Sequence, residues 1–256
     1  MSDISELFSR NKLILGEDYL KGFAKKHVAV FGLGGVGGFA LESLARMGVG
    51  EFTIVDFDKV TESNINRQII ALHSTIGEKK VDIFKARLLD INPKIKINQY
   101  DEFYTEALND SIFSQKIDYV VDAIDTAKSK IQLLKHCYEH KIPVITSLGA
   151  GNRLDPTQLY ICDISEVSCQ GCNFLKNILR QLSNEGITSG ITAIYSREKP
   201  IKINGKWKME NGELAPLPAL HSSHSKKTTV GSLPFTPAVA GYYMGYYVMK
   251  ELGIRN

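Results

Sequence analysis

The sequence predicts an α/β fold, a doubly wound Rossmann-like sheet, from three features. His27-Val28-Ala29-Val30-Phe31 is a short apolar run that breaks into a glycine-rich turn, Gly32 to Gly38. The stretch behind that turn carries Val36, Ala40, Leu44 and Met47 at three- and four-residue spacing, the period of a helix with one buried face. A second apolar run, Phe52-Thr53-Ile54-Val55-Asp56, follows and ends on an acidic residue. Apolar strands without alternation suit a parallel sheet covered on both faces, and strand, glycine turn, helix and strand in that order make a βαβ unit.

The elements follow in order. Gly48 and Gly50 close the first helix. A second helix is expected from about Glu78 to Ile91, with Val81, Phe84, Leu88 and Ile91 on its buried face and Asn92-Pro93 as its stop. Strands are expected near Ile95 to Tyr100 and Ile117 to Asp122. A third helix, Ala127 to His140, leads through Lys141-Ile142-Pro143 into the strand Val144-Ile145-Thr146. After Leu159-Tyr160-Ile161 the alternation is expected to stop. A polar stretch from Arg197 to Ser232 then reads as a mobile crossover segment, and Pro237 to Leu252 as a C-terminal helix packed back on the core. The expected organisation is one domain over residues 1–256, with a nucleotide-binding core at about 24–165 and the crossover and last helix at about 166–256.

Composition narrows the class. The chain is 43% hydrophobic and 23% charged, an ordinary globular balance. Thirty-one Lys plus Arg against 28 Asp plus Glu leave a net charge of +3, which neither identifies nor excludes a nucleic-acid partner. No stretch approaches the roughly eighteen apolar residues of a membrane span, and Met1-Ser2-Asp3-Ile4-Ser5-Glu6 lacks the pattern of a secretory signal, so a cytoplasmic location is expected. The four cysteines, Cys137, Cys162, Cys169 and Cys172, are too few for a disulfide scaffold.

Gly32-Leu33-Gly34-Gly35-Val36-Gly37 fits the dinucleotide fingerprint, in which Gly32, Gly34, Gly35 and Gly37 let backbone approach phosphates at a positively polarised helix N-terminus. A tight turn without a ligand is the bland alternative, and the strand before and helix after disfavour it. Asp56, 24 positions after Gly32, is placed to accept hydrogen bonds from ribose hydroxyls, which NAD and ATP share. What separates those ligands is the next stretch, Asp56 to Gln68, followed by Gly77-Glu78-Lys79-Lys80. A triphosphate whose pyrophosphate departs needs fixed cations, which Arg67 and Lys80 supply, and a carboxylate for magnesium, which Asp125 supplies after a strand at the ligand-binding edge. Taken singly, each reads equally well as a solvated surface charge. Together they point to ATP and Mg2+, whereas a nicotinamide-dependent oxidoreductase leaves Arg67, Lys80 and Asp125 without a shared task. A non-catalytic nucleotide-sensing module accounts for them less economically.

Gly32 to Gly37, Asp56 with Asp58, Asn64 with Arg67, Lys80, and Asp125 together resemble the adenylylation domain of the ubiquitin-activating superfamily, over most of residues 6 to 165. The resemblance implies ATP-dependent adenylylation of a carboxylate. It puts Asp56 on the ribose, Asn64, Arg67 and Lys80 on the phosphates, and Asp125 on magnesium, with Asp58 among the nucleotide-binding residues. Arg10, in Phe8-Ser9-Arg10-Asn11, matches the family arginine that reaches the phosphates of the neighbouring subunit, which implies a homodimer. Within the superfamily, Asn64-Ile65-Asn66-Arg67-Gln68, Asp122-Ala123-Ile124-Asp125, and Gly149-Ala150-Gly151 through Asp155-Pro156-Thr157 look most like the tRNA-modifying branch that dehydrates threonylcarbamoyladenosine. The alternative is an adenylyltransferase for a ubiquitin-like sulfur-carrier protein. The tRNA branch also implies that the Gly149-Ala150-Gly151 loop offers carbonyls to a monovalent cation, Na+ or K+. An accessory sulfur-transfer protein stays open as a partner.

The cysteines and the polar tail test these branches. Carrier-protein activators often hold zinc with two Cys-x-x-Cys pairs, but Cys169-Gln170-Gly171-Cys172 stands alone and no cysteine follows it, which also removes a late thioester cysteine. Cys162 with a histidine as a three-cysteine site is the weaker reading against plain thiols. His221 and His224, followed by Lys226 and Lys227, read as a solvated loop or as a basic lip for an RNA backbone. Tyr242, Tyr243, Tyr246 and Tyr247 read as helix packing or a dimer contact rather than a base-stacking platform.

Overall fold

The computed structural model describes residues 4–168, 171–201, 207–210, 213–216 and 230–253. Three short helices come first: α1 (Ile4–Leu7), α2 (Ser9–Leu15) and α3 (Glu17–Phe23). The expected alternation then runs β1 (His27–Phe31), α4 (Gly37–Arg46), β2 (Glu51–Val55), α5 (Lys80–Ile91), β3 (Lys96–Tyr100), α6 (Asn109–Ile112), β4 (Tyr119–Asp122), α7 (Ala127–Glu139) and β5 (Val144–Ser147). Each anticipated strand or helix of this part begins and ends within two residues of its expected place.

The alternation does not stop at Ile161, and here the sequence reading is corrected. β6 (Leu159–Asp163) is followed by α8 (Asn173–Asn184) and β7 (Thr192–Ser196), and the strand order is β3-β2-β1-β4-β5-β7-β6. β7 continues the parallel run beside β5, and β6 lies outside it as an antiparallel edge. The chain therefore skips a slot and returns through α8 to fill it. Apolar spacing reveals helices and strands but carries no information on which slot a strand takes, and α8 does bury Leu175, Ile178 and Leu182 at helical spacing. Of the stretch expected to be a mobile crossover, β8 (Trp207–Glu210) and β9 (Glu213–Pro216) form an antiparallel pair; most of its other residues, with His221 and His224, lie outside the described residues. The last helix, α9 (Phe235–Gly253), is present as expected.

Alternate residues of the central strand serve two cores. Val28 and Val30 face one that includes Leu41, Leu44, Phe84, Leu88 and Met244, while Ala29 and Phe31 face another that includes Leu133, Leu134, Ile178 and Leu182. The central strands β1, β4 and β5 are thus buried on both faces and read as apolar runs, whereas the edge strands β3 and β6 are only partly buried. α9 lies across α4 in the first layer. A Cβ on Gly241 would stand 2.8 Å from the Phe39 Cβ, so the two helices meet backbone to backbone. Among the described residues no helix is long and apolar enough to cross a membrane.

Candidate active site at the carboxyl edge of the sheet

Register brings three strand ends to one level. Phe31 pairs with Val55 on one side and Asp122 on the other. Gly32 N donates to the Val55 carbonyl at 2.9 Å and Ala123 N to the Phe31 carbonyl at 2.8 Å, so the glycine turn, Asp56 and the turn after β4 emerge side by side. That is the crevice in which open α/β sheets hold ligands.

The glycines serve different ends. Gly32 has φ +85°, and a Cβ there would stand 2.7 Å from the Ala123 carbonyl oxygen. A Cβ on Gly37 would collide with the Gly32 carbonyl, and one on Gly35 would press on Arg67 and Pro237 at 3.3 Å. These three let protein approach protein. Gly34 is different: the nearest atom to a Cβ there is Gln68 Nε2 at 3.7 Å, so no contact within the protein requires that position bare. No side chain caps the first amides of α4, which leaves the positive end of its dipole for an anion.

Asp56 is buried, with Oδ2 accepting from Leu33 N at 2.6 Å and Oδ1 from Asp58 N at 2.8 Å. Burial raises its pKa above the ordinary carboxylate value, against the pull of the Lys80 charge and the two amides. Lys80, 4% exposed, opens α5 and donates to Asp58 Oδ2 at 2.7 Å, with Asp56 Oδ2 at 3.7 Å. The side chain of Asp58 is 48% exposed, so this carboxylate can turn to water and release Lys80.

Arg67 uses one terminal nitrogen, Nη1, to reach the Ser63 carbonyl at 2.7 Å and Asn66 Oδ1 at 2.9 Å. Asn64 is buried, and its Oδ1 accepts from Thr61 N at 3.2 Å, so the carboxamide oxygen sets the local turn and leaves the amide nitrogen for a ligand. Gln68 was not singled out from the sequence. It is 7% exposed, lies next to Gly34, and its Oε1 has no partner among the described residues. The signal for it is positional, as the last residue of the Asn64-to-Gln68 phrase.

Asp125 stands exposed in the turn between β4 and α7, its carboxylate met only at 3.4 Å by the Thr126 hydroxyl among the described residues. Beneath it lies a second cluster that the sequence did not signal. Lys130 Nζ donates to Asp122 Oδ2 at 2.6 Å and to Thr146 Oγ1 at 3.0 Å, and the Thr146 hydroxyl donates to the same Oδ2 at 2.6 Å.

Arg10 is the one predicted site residue that the structure keeps apart. Its neighbour Asn11 donates to the Arg46 carbonyl at 2.8 Å, which docks α2 at the C-terminal end of α4. The glycine turn is at the other end of that ten-residue helix, about 15 Å away at 1.5 Å per residue. Cys137 is buried, Cys162 and Cys172 are free thiols, and Cys169 lies outside the described residues. Among the described residues no three His, Cys, Asp or Glu side chains form a metal-binding group, and the three-cysteine reading, which needs Cys169, lies outside the described residues. Tyr242, Tyr243 and Tyr246 are exposed on α9 rather than packed against the core, and Tyr247 approaches the Thr192 hydroxyl at 3.4 Å.

Comparison with known proteins adds to this geometry. The ThiF family matches residues 8–253. The tRNA threonylcarbamoyladenosine dehydratase of Bacillus subtilis (strain 168) is 42% identical over 245 residues, 96% of this chain and 94% of that protein. A crystal structure of the E. coli tRNA N6-threonylcarbamoyladenosine dehydratase in complex with ATP superposes with a TM-score of 0.82 at 28% identity, covering 98% of this chain and 96% of that one. The Escherichia coli (strain K12) molybdopterin-synthase adenylyltransferase is 31% identical over 150 residues, 58% of this chain and 59% of that protein.

Proposed function

The chain belongs to the ThiF family, and from that premise we propose that it is an ATP-dependent enzyme that dehydrates threonylcarbamoyladenosine in tRNA through an acyl adenylate. The observation that carries the chemistry is the common level of three strand ends. Asp56 follows β2, the glycine turn follows β1, and Asp125 follows β4, with Lys80 and Arg67 beside the first two. A ribose, a phosphate chain and a metal-bound reacting phosphate have the same order along ATP.

In this reading Asp56 accepts from the ribose hydroxyls, and the free amides of α4 take phosphate with Asn64, Arg67 and Lys80. Asp125, a hard oxygen donor with free lone pairs facing solvent, fits Mg2+, which when bound neutralises charge on the phosphates. The threonyl carboxylate attacks the α-phosphorus; a C–O–P link forms as the Pα–O–Pβ bond breaks and pyrophosphate leaves with the electron pair. The carbamoyl oxygen then attacks the acyl carbon, AMP departs with the former carboxylate oxygen, and a carbamoyl N–H proton is lost. The nucleoside is lighter by one water. The attacking group is part of the substrate, so its effective concentration is high and no protein nucleophile is required.

The position of α2 supports a homodimer in which Arg10 serves the partner's phosphates, because its own glycine turn is a helix length away. The exposed tyrosines of α9 are a candidate contact between protomers. The carbonyls of Gly149, Ala150 and Gly151 accept no hydrogen bond among the described residues, which suits a monovalent cation. The enzyme works in the cytoplasm on its tRNA. A sulfur-carrier adenylyltransferase is the weaker reading: relatives of that kind match just over half the chain, against 96% for the tRNA enzyme.

The test is mass spectrometry of nucleosides from threonylcarbamoylated tRNA incubated with the enzyme, ATP and Mg2+, beside an Asp125→Ala variant. Loss of one water with release of AMP, absent in the variant, is the expected outcome. An unchanged nucleoside from enzyme that binds ATP would overturn the reading and direct the search to a carrier protein ending in Gly-Gly.

A further inference from the structure

A lysine in the first turn of a helix, sealed from water, is unfavourable twice. Lys130 is the fourth residue of α7, where a cation faces the positive end of the helix dipole. Its side chain is 0% exposed, so the ammonium has given up its hydration. Burial lowers its pKa and the Asp122 carboxylate opposes that. An aliphatic side chain would relieve both penalties, so helix stability does not account for the residue.

Its contacts do. Asp122 ends β4, and Lys130 follows it by eight residues. The 2.6 Å bond between them closes the segment 122–130 at its base. The other carboxylate oxygen, Asp122 Oδ1, accepts from Ile124 N at 3.1 Å and shapes the turn from inside. Thr146, bonded to both partners, ties the closure to β5. Asp125 stands on the crest of the segment so closed, and it has no comparable restraint of its own. The Ala123 carbonyl of the same turn packs on Gly32, so any shift of the turn is felt at the phosphate site.

We propose that Lys130 is a positioning residue that, through Asp122 and with Thr146, holds the turn carrying Asp125 in the conformation that receives magnesium. The inference rests on the reading of Asp125 as the metal carboxylate. It requires that loss of the ammonium loosen residues 123–129 more than the rest of the sheet and weaken the response to Mg2+ more than the binding of ATP itself.

The experiment compares full-length wild type, Lys130→Met, Lys130→Arg, Thr146→Val and Asp125→Ala. Amide hydrogen exchange is followed in the ligand-free protein, and ATP binding is followed by calorimetry in EDTA and across a Mg2+ titration. Lys130→Met is expected to speed exchange over 123–129 selectively and to raise the Mg2+ midpoint about tenfold, the scale of a lost supporting contact behind a metal ligand. Affinity for ATP in EDTA stays near wild type. Thr146→Val shifts both readouts the same way by less, and Lys130→Arg recovers part of the effect. If Lys130→Met does not fold, Thr146→Val decides. Folded variants with wild-type exchange over 123–129 and a wild-type Mg2+ midpoint would overturn the inference, as would exchange over 123–129 that rises no more than in the rest of the sheet. An Asp125→Ala shift without a Lys130→Met shift sinks the inference alone. An Asp125→Ala variant with an unmoved midpoint removes the metal reading and the inference with it.

Discussion

Among the described residues two lysines are buried against aspartates, and they differ in what lies behind the aspartate. Lys80 meets Asp58 at 2.7 Å, and that carboxylate is 48% exposed; Lys130 meets Asp122 at 2.6 Å, and neither side chain is exposed at all. The first partner can turn to water when a phosphate arrives. The second has nowhere to go. An ammonium whose partner is replaceable is free to take a ligand, the role proposed for Lys80, and one whose partner is captive is part of the frame, although both are lysines near the start of a helix.

The comparison breaks most visibly on stability. Lys130→Ala strands the Asp122 charge in a dry interior and is expected to lower unfolding free energy by about 3–5 kcal/mol in urea denaturation at pH 7. Lys80→Ala leaves Asp58 solvated, and it leaves buried Asp56 with the amides of Leu33 and Asp58 but without the cation at 3.7 Å, so it is expected to lower unfolding free energy by about 1–2 kcal/mol, less than Lys130→Ala. Activity follows the opposite order of cause. On its proposed role as a phosphate donor, Lys80→Ala is expected to reduce kcat/KM for ATP by about 10²–10³ with the fold intact. If Lys80→Ala proved the more destabilising of the two, the distinction between binding group and frame would fail.

Two glycines sharpen the same contrast at smaller energies. Gly32→Ala meets both a φ of +85° and the Ala123 carbonyl at 2.7 Å, so a stability loss of about 1–3 kcal/mol is expected together with loss of ATP binding. Gly34→Ala has its nearest neighbour at 3.7 Å and normal φ. Its melting temperature should stay at wild type while ATP affinity falls, because only the ligand claims that space. Equal destabilisation by the two alanines would show that Gly34 too is held bare by the protein.

What was legible in the sequence follows the same division. The unit from His27 to Asp56 was readable because glycine freedom, helical spacing and a two-sided apolar strand are local properties, and the structure places each within two residues. Asp56 and Asp125 could be singled out because each follows a strand at the carboxyl edge, whereas Arg67, in a turn past β2, and Lys80, the first residue of α5, stood out only through their order along the chain beside the glycine turn. Lys130 was not: Ala127-Lys128-Ser129-Lys130 offers two lysines, and only tertiary packing decides that Lys128 is exposed and Lys130 sealed. The order of β6 and β7 was hidden for a related reason, since the exchange of slots depends on pairing across the sheet rather than on either strand's own residues. Arg10 was named through resemblance alone, for the neighbouring subunit's site, and the docking of α2 through Asn11 at the far end of α4 sets it apart from its own glycine turn.

The smallest expected effect concerns Asp56, which belongs to the binding edge but is buried like a member of the frame. Burial raises its pKa, opposed by Lys80 and by the amides of Leu33 and Asp58. A carboxyl with a folded pKa above its unfolded one binds its proton more tightly when folded. Its contribution is therefore fully present below the ordinary value of 3.8, is lost as pH rises through the raised value, and stays lost at neutral pH. Asp56→Asn lacks that titration, so its melting temperature relative to wild type is expected to be highest at pH 7 and to fall as pH drops toward 3.8. The same variant should bind ATP less well, having lost the charged acceptor for the ribose. Thermal melts of both proteins from pH 7 downward test this. A variant that melts below wild type by an amount independent of pH would place Asp56 with Asp122, as an anion the fold itself requires.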